Sequence, residues 1–374
     1  MNRLQKIFSE RAAISVIVVL LLFVFDQCLH GGIRMKNLML TQAYRVHTPG
    51  IYNQDHHHPD GGFRNPWPPN DYSGLSAAGW MLGRAFRSLG SFHVDREPLD
   101  AADLQWAVDH PTEGIRTFWI GHSTALIQMG ETFIITDPVF SDRVSPVSFA
   151  GPTRLTPLPI QLEDIPRIDA VIISHNHYDH LDTASLHKIH RIHEPLFLVP
   201  LGVQQWFLDE EISGVIELDW WQYIDLDDIR LHCMPARHFS NRGLTDRNET
   251  LWSGWYLQDR THAHNSVFYA GDTGYADHFD RIRTELGAPR LALIPIGAYK
   301  PRWFMREVHV DPAEALQAFQ DLQAAHMIGV HWGTFDLADE GIDEPATTTR
   351  ELATAAGIAD RVHVLPVGGK LELE

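Results

Sequence analysis

Residues 169–182 read Asp-Ala-Val-Ile-Ile-Ser-His-Asn-His-Tyr-Asp-His-Leu-Asp, and they join a strand-like run to a dense group of metal-binding side chains. The first part, residues 169–174, is apolar and rich in β-branched residues, which is typical of a strand buried on both faces. Residues 181–191 follow with a helical pattern. The histidines between them are therefore predicted to lie in a strand-to-helix turn at the end of a sheet, where α/β folds usually place their sites.

This turn contains candidate metal ligands at His175, His177, Asp179 and His180. Neutral imidazoles and a carboxylate are donors that divalent zinc binds well in proteins. Because the chain has 23 histidines, a histidine-rich surface loop is the alternative interpretation. The H-x-H-x-D-H spacing directly after a buried strand favours a metal site.

Further ligands must come from later loops, because one short run cannot complete a site for two metal ions. His238, Asp272 and His331 each stand just after an apolar, strand-like run. Taken alone, each is more readily explained as part of a turn or as a core side chain. Together they repeat the pattern of the first cluster, so we expect one shared site in which the Asp272 carboxylate bridges two cations.

The order of these ligands resembles the metallo-β-lactamase superfamily. Five further segments resemble one branch of it, the N-acylphosphatidylethanolamine-hydrolysing phospholipases D and their bacterial relatives. These segments are 117–124 (TFWIGHST), 136–141 (TDPVFS), 217–221 (ELDWW), 294–299 (IPIGAY) and 301–305 (PRWFM). The resemblance runs from near Gly62 to near Gly368 and covers most of the chain.

The resemblance implies an α/β fold, the metallo-β-lactamase-like αββα sandwich, with two zinc ions per chain. The implied ligands form two sets that share a bridging Asp272: His175, His177 and His238 for one ion, and Asp179, His180 and His331 for the other. It also implies that His309 is a further active-site histidine. Catalytic roles are therefore expected for Asp272, Asp179 and His309.

The same branch implies a phospholipase D-type reaction, in which N-acylphosphatidylethanolamine-like lipids are hydrolysed to N-acylethanolamine and phosphatidic acid. Lys300, Arg302 and Trp303 are candidates for contacting a phosphate head group, and ordinary surface charge is an equal alternative for the two cations. Other functions left open are a lactonase or a phosphodiesterase for soluble substrates on the same fold, and a non-catalytic envelope protein. Every ligand position is filled, which favours an enzyme.

The charge and the cysteine content of the chain limit the functions that it can have. The chain has 30 basic and 48 acidic residues and a formal net charge of −18. A nucleic-acid-processing enzyme would need a basic track to neutralise phosphates, so we do not expect a nucleic-acid substrate. Cys28 and Cys233 are the only cysteines, and they predict no intramolecular disulfide. Neither the compartment nor the oligomeric state follows from this composition.

The body of the chain is expected to be one hydrolase domain over residues 111–374, because no repeat or low-complexity linker interrupts it. An N-terminal extension and connector is expected over residues 31–110. Within this connector, the run His56-His57-His58 is expected to be a solvated loop, with metal capture as the less favoured alternative.

Residues 1–30 have the pattern of a membrane-directed segment. Arg3, Lys6 and Arg11 precede an apolar run over residues 12–25, which is shorter than the about 20 residues of a spanning helix. An uncleaved signal anchor is favoured; a cleaved signal peptide and an interfacial helix are the alternatives. The positive charges predict that the catalytic domain lies on the non-cytoplasmic side of a bacterial membrane.

Overall fold

The structure is a computed structural model that describes residues 36–37, 43–68, 79–80, 91–147 and 149–374. Two seven-stranded sheets form the body of the protein. The predicted N-terminal anchor or signal peptide lies outside the described residues. Among the described residues, none of the helices combines the length and the apolar character that crossing a membrane requires.

The first sheet is antiparallel at one side and parallel at the other. Its strands are β1 (Thr112–Gly121), β2 (Thr124–Gly130), β3 (Thr132–Thr136), β4 (Ala170–Ile172), β5 (Leu196–Pro200), β6 (Val215–Leu218) and β14 (Lys370–Leu373). They are arranged in the order β14-β1-β2-β3-β4-β5-β6. Strands β3 to β6 are parallel to one another, and β14, β1 and β2 complete the sheet with antiparallel pairs.

The second sheet repeats this plan. Its strands are β7 (Tyr223–Leu226), β8 (Ile229–Met234), β9 (Gly254–Asp259), β10 (Ser266–Tyr269), β11 (Leu291–Pro295), β12 (His326–Val330) and β13 (Val362–His363). They are arranged in the order β13-β12-β11-β10-β9-β8-β7. Strands β10 to β13 are parallel, and β7 to β10 pair antiparallel.

Helices cover the sheets. In the described part of the chain these are α1 (Ala101–Asp109), α2 (Thr183–His193), α3 (Gln204–Asp209), α4 (His278–Leu286), α5 (Arg302–Met305), α6 (Pro312–Asp321) and α7 (Glu344–Ala355). Helix α6 begins with a capping box, in which the Asp311 side chain accepts from the backbone of Glu314 and the Glu314 side chain accepts from the backbone of Asp311. This arrangement satisfies backbone donors that have no partner within the helix.

Alternating side chains of the first sheet enter two different hydrophobic layers, as the two-residue period of a strand requires. Phe118 packs in one cluster with Leu186 and Ile189 of α2, whereas its neighbour Trp119 packs in the cluster that also contains residues of the second sheet. Each sheet is therefore buried on both faces. The predicted mixed α/β fold of two packed sheets with helices is confirmed.

Several elements were not predicted from the sequence: β7, β14, α1 and the short α5. Strand β7 has the sequence Tyr-Ile-Asp-Leu and β14 has Lys-Leu-Glu-Leu. Each is too short for its alternation to stand out, and each is defined by pairing, β7 with the adjacent strand β8 and β14 with a strand far away in the chain. Strand β14 pairs with β1, more than two hundred residues earlier in the chain.

The expectation that His56-His57-His58 is a solvated loop is wrong for His56, whose side chain is 1% exposed. His57 is 31% exposed and His58 is 44% exposed. The reason is tertiary, because both His56 and His57 point at Asp219 at the end of β6. A sequence pattern contains no information on a partner so far along the chain.

Candidate metal centre

Metal-binding side chains gather where strands of both sheets end. The first sheet supplies residues that follow β1, β3 and β4, and the second sheet supplies residues that follow β8, β10 and β12. All seven predicted ligands lie in this group. The residues are His122, Asp137, His175, His177, Asp179, His180, His238, Asp272 and His331.

Three imidazoles form the first ligand set. His175 Nε2 lies 2.8 Å from His177 Nδ1, and His238 Nε2 lies 3.3 Å from the same atom. His175 and His238 are buried, and His177 is half-buried. Three nitrogens from two loops therefore meet at one point, as zinc ligands do.

The second ligand set combines Asp179, His180 and His331. Asp179 Oδ2 lies 3.5 Å from the Nε2 atoms of both histidines. The same carboxylate oxygen lies 3.0 Å from His122 Nε2, so His122 is placed to orient Asp179 or to add a fourth donor. These four residues form one potential metal-binding group.

Asp272 lies between the two sets. Its oxygens are 3.1 Å from His180 Nε2 and 3.2 Å from His331 Nε2. They are 3.9 Å from His175 Nε2 and 3.8 Å from His238 Nε2. A carboxylate in this position can donate one oxygen to each of two neighbouring cations, which is the arrangement that the sequence predicts for Asp272.

Several buried atoms of the cluster make no hydrogen bond: His180 Nε2, His331 Nε2 and Asp272 Oδ1. Buried polar atoms are normally paired, so these atoms are suited to a cation. The opposite ring nitrogens of two candidate ligands are held, since His180 Nδ1 lies 2.6 Å from Asp137 Oδ2 and His238 Nδ1 lies 2.8 Å from the Val308 carbonyl oxygen. Such outer contacts are typical of metal-ligating histidines.

The electrostatics of the cluster also suit a cation. Burial lowers the pKa of His175 and of His238 well below 6.5, so both rings are neutral at pH 7. Burial also lowers the pKa of His331, but the Asp272 and Asp179 carboxylates outweigh this effect and raise it to about 9. The two carboxylates thus attract a proton to His331 in the absence of metal, and a divalent cation would replace that proton.

His309 lies at the rim of the cluster. Its Nδ1 is 3.8 Å from Asp272 Oδ2, and its ring centroid lies 5.4 Å from that of His331 with the two rings tilted by 32°. Burial lowers the pKa of His309 to about 4. Arg302 NH1 donates to the His309 carbonyl oxygen at 2.9 Å, so the loop that carries this histidine is held in place by α5.

The predicted head-group contacts lie farther out. Lys300 Nζ is paired with Glu344 at 2.6 Å, and Arg302 is paired with Glu314 and Asp311. Trp303 is 46% exposed. The structure therefore brings Arg302 next to the site through His309, whereas it directs Lys300 toward α7.

His122 and Asp137 lie in two of the segments that resemble the family, but no role was predicted for either residue. Both come directly after the last residue of a strand, where the predicted ligand His331 also lies. Both also have positive φ angles, 52° and 31°, and the ligand His331 has a φ of 62°. Non-glycine residues with such backbone conformations often occur at functional sites. The position at a strand exit was a usable signal for both residues.

Comparison with known proteins defines the class of this chain. Residues 132–332 match the family model described as a beta-lactamase superfamily domain. This match covers more than half of the chain, so the protein belongs to the β-lactamase superfamily. The family, together with the His and Asp clusters, identifies a metal-dependent hydrolase.

The most informative relatives are phospholipases. Over 258 residues the chain is 39% identical to N-acyl-phosphatidylethanolamine-hydrolyzing phospholipase D 1 of Caenorhabditis elegans, which covers 66% of this chain and 72% of that protein. The mitochondrial enzyme of the same name from Saccharomyces cerevisiae is 38% identical and covers 68% of this chain and 55% of that protein. A solved metallo hydrolase from Ignicoccus hospitalis shares the fold, with a TM-score of 0.52, 22% identity and coverage of 70% and 98%.

Proposed function

We propose that the protein is a dinuclear zinc phosphodiesterase of phospholipase D type, acting on N-acylphosphatidylethanolamine-like lipids. The observation that carries the proposal is the position of Asp272, whose oxygens lie within 3.9 Å of ring nitrogens from both ligand sets. The similarity to two phospholipases of this type supports the substrate class.

Zinc ions bound by the two sets would supply a hydroxide at neutral pH and neutralise charge on the phosphoryl oxygens. The proposed reaction forms a bond from the water oxygen to phosphorus and breaks the bond from phosphorus to the ethanolamine oxygen. The proton of the water passes to the leaving N-acylethanolamine, and phosphatidic acid remains. The nucleophile therefore needs no serine or cysteine of the chain.

The chain's own residues hold these groups in place. Asp272 keeps the two ligand sets together, and Asp137 and the Val308 carbonyl orient the rings of His180 and His238. His309 presents a neutral imidazole at the rim, where it can hydrogen-bond a phosphoryl oxygen or the leaving alcohol. We assign the three catalytic roles to Asp272, Asp179 and His309 on this basis.

A cleft beside the metal loop is the proposed site for the lipid part of the substrate. It has a volume of about 460 Å³ and is lined by residues 141–143 and 145–147 together with Tyr178, Leu181 and Arg242. Val147, which lines the cleft, and Phe149 two residues later are exposed, the latter by 83%. The cleft therefore has an exposed apolar side chain in its lining and adjoins the loop that carries the candidate metal ligands.

The head-group role of Lys300, Arg302 and Trp303 is kept as part of this proposal. Both cations already pair with carboxylates, so a phosphate would have to exchange for Glu344 or Glu314. We further propose that the apolar segment before residue 30 keeps the catalytic domain at the membrane, on its non-cytoplasmic side in a bacterium.

The test is hydrolysis by zinc-loaded protein of three substrates: N-acylphosphatidylethanolamine in vesicles, a soluble phosphodiester and a lactone. The proposal predicts the highest kcat/KM on the vesicles, with N-acylethanolamine and phosphatidic acid as products. Asp280→Asn is the matched control for Asp272→Asn, because the Asp280 side chain is 63% exposed and, among the described residues, its ion pair is with Arg283. A higher kcat/KM on the lactone would contradict this function. Products formed by cleavage of the bond between phosphorus and the glycerol oxygen would also contradict it.

A further inference from the structure

A second group of metal-binding side chains lies outside the catalytic cluster, at the end of β6. His56 Nε2 is 2.5 Å from Asp219 Oδ1, and His57 Nε2 is 2.7 Å from Asp219 Oδ2. The donor atoms of these three residues all lie within 4.8 Å of one another. The ring nitrogens of two adjacent histidines thus lie beside the two oxygens of a single carboxylate.

The burial and the geometry of Asp219 are the reason to infer a ligand here. The side chain is 1% exposed, and its ion pairs within the described residues are with His56 and His57 alone. Each of its two oxygens faces the ring nitrogen of one histidine, and Nδ1 of the buried His56 ring makes no hydrogen bond. Buried carboxylates are normally paired or bind a metal.

We infer that His56, His57 and Asp219 form a third metal site, which binds a first-row divalent transition ion such as Zn²⁺. Two imidazoles and a carboxylate are donors that zinc accepts, with water or the Tyr52 hydroxyl available as the fourth ligand. Zinc bonds of about 2.0–2.2 Å and tetrahedral angles place neighbouring donors about 3.3 Å apart. The two separations between a histidine nitrogen and an Asp219 oxygen need to widen by less than about 1 Å, and the donor atoms of His56 and His57 already lie within 4.8 Å of each other.

An ion can reach this position. A cavity of about 230 Å³, lined by Asn53, His56, Trp67 and Trp220 among others, adjoins it. The His57 ring is 31% exposed, which leaves room for a water ligand. Tyr52 donates from its hydroxyl to Asp219 Oδ2 at 2.7 Å, so exchange of this contact for an ion requires only a local change.

The site would fasten the N-terminal segment of residues 52–68 to the body. That segment contacts the catalytic loops, since Phe63 N donates to the Asn248 carbonyl oxygen at 2.8 Å and Asn65 Nδ2 donates to the His238 carbonyl oxygen at 2.7 Å. The ion would therefore stabilise the surroundings of the ligand His238 without taking part in the chemistry. The inference does not depend on the proposed catalytic function.

The test counts zinc ions in the untagged full-length chain by equilibrium dialysis against micromolar free Zn²⁺, followed by elemental analysis. His57→Ala should hold one ion fewer per chain than the wild type. His58→Ala is the matched control, because His58 is the next residue and its side chain is 44% exposed and, among the described residues, has its polar contacts with Asp60. This variant should hold as many ions as the wild type. Equal zinc content in the wild type and His57→Ala would overturn the inference.

A second readout separates a metal site from a hydrogen-bonded tether. Zinc should slow tryptic cleavage after Arg64 in the wild type and in His58→Ala, by the factor 1 + [Zn²⁺]/Kd that dialysis yields, and it should not slow cleavage in His57→Ala. If His57→Ala does not fold, Asp219→Asn replaces it, since this change removes the charge and retains a hydrogen-bond acceptor. Loss of one ion in Asp219→Asn supports the site, and unchanged zinc content refutes it.

Discussion

Asp272→Asn is the substitution that tests the catalytic centre most directly. The carboxylate lies 3.1 Å from His180 Nε2 and 3.2 Å from His331 Nε2, and it is 3% exposed. The amide has nearly the same shape but no charge. Loss of one unit charge at about 4 Å from one unit of positive charge costs about 4 kcal/mol at an effective dielectric constant of about 20, and a divalent ion makes this a lower bound. It corresponds to roughly thousand-fold weaker binding or more.

The amide oxygen retains part of the ligation, so we expect the affinity for at least one ion to fall about 100-fold or more, and turnover to fall with it. His309→Ala should cost less activity and should leave both ions in place, because His309 contacts the cluster only at its rim. Zinc affinity by chelator competition and kcat on vesicles measure the two effects. An Asp272→Asn protein that retains both catalytic ions and near-wild-type turnover would refute the bridging role.

Three other outcomes are expected. Asp137→Asn should weaken zinc binding about 10–100-fold, because it removes the charge that orients His180; unchanged affinity by chelator competition would argue against this role. In metal-free protein the pKa of His331 is about 9 in the folded chain and 6.5 in the unfolded chain, so protonated His331 stabilises the fold. This contribution is complete below pH 6.5 and is lost as the pH rises through 9. Urea midpoints should therefore fall over that interval without metal, and zinc should abolish the trend; a flat profile without metal would contradict it. Deletion of residues 1–30 should release a folded, zinc-loaded domain that hydrolyses soluble substrates and is slower on vesicles, since the segment supplies local concentration only; aggregation or metal loss would show that the segment belongs to the fold.

Local sequence was sufficient where the physical signal is itself local. The strand, turn and helix predicted over residues 169–191 follow from apolar β-branched residues, closely spaced histidines and a helical pattern, and β4 and most of α2 lie there. The capping box of Asp311 and Glu314 is likewise local, because its two partners are three residues apart. Later candidate ligands such as Asp272 are predicted because each repeats the same pattern of a strand followed by a donor.

Tertiary structure decided what depends on distant partners. Strand β14 exists because of its pairing with β1, more than two hundred residues earlier in the chain, and the sequence of so short a segment does not identify the partner. Lys300 and Arg302 look like free cations in the sequence, yet carboxylates of α6 and α7 already pair with them. Only the folded chain shows which charges remain available to a substrate.

The two histidine clusters show which features local sequence predicts and which depend on the tertiary structure. The composition of residues 175–180 predicts a metal-binding loop, because several donors lie within one turn and a short backbone segment can bring them together. His56 and His57 had the same chemistry but looked like a solvated connector, because their partner Asp219 lies 163 and 162 residues away. Residue type sets which atoms can bind a cation, whereas burial and convergence of donors arise from long-range packing, and only the tertiary structure determines these.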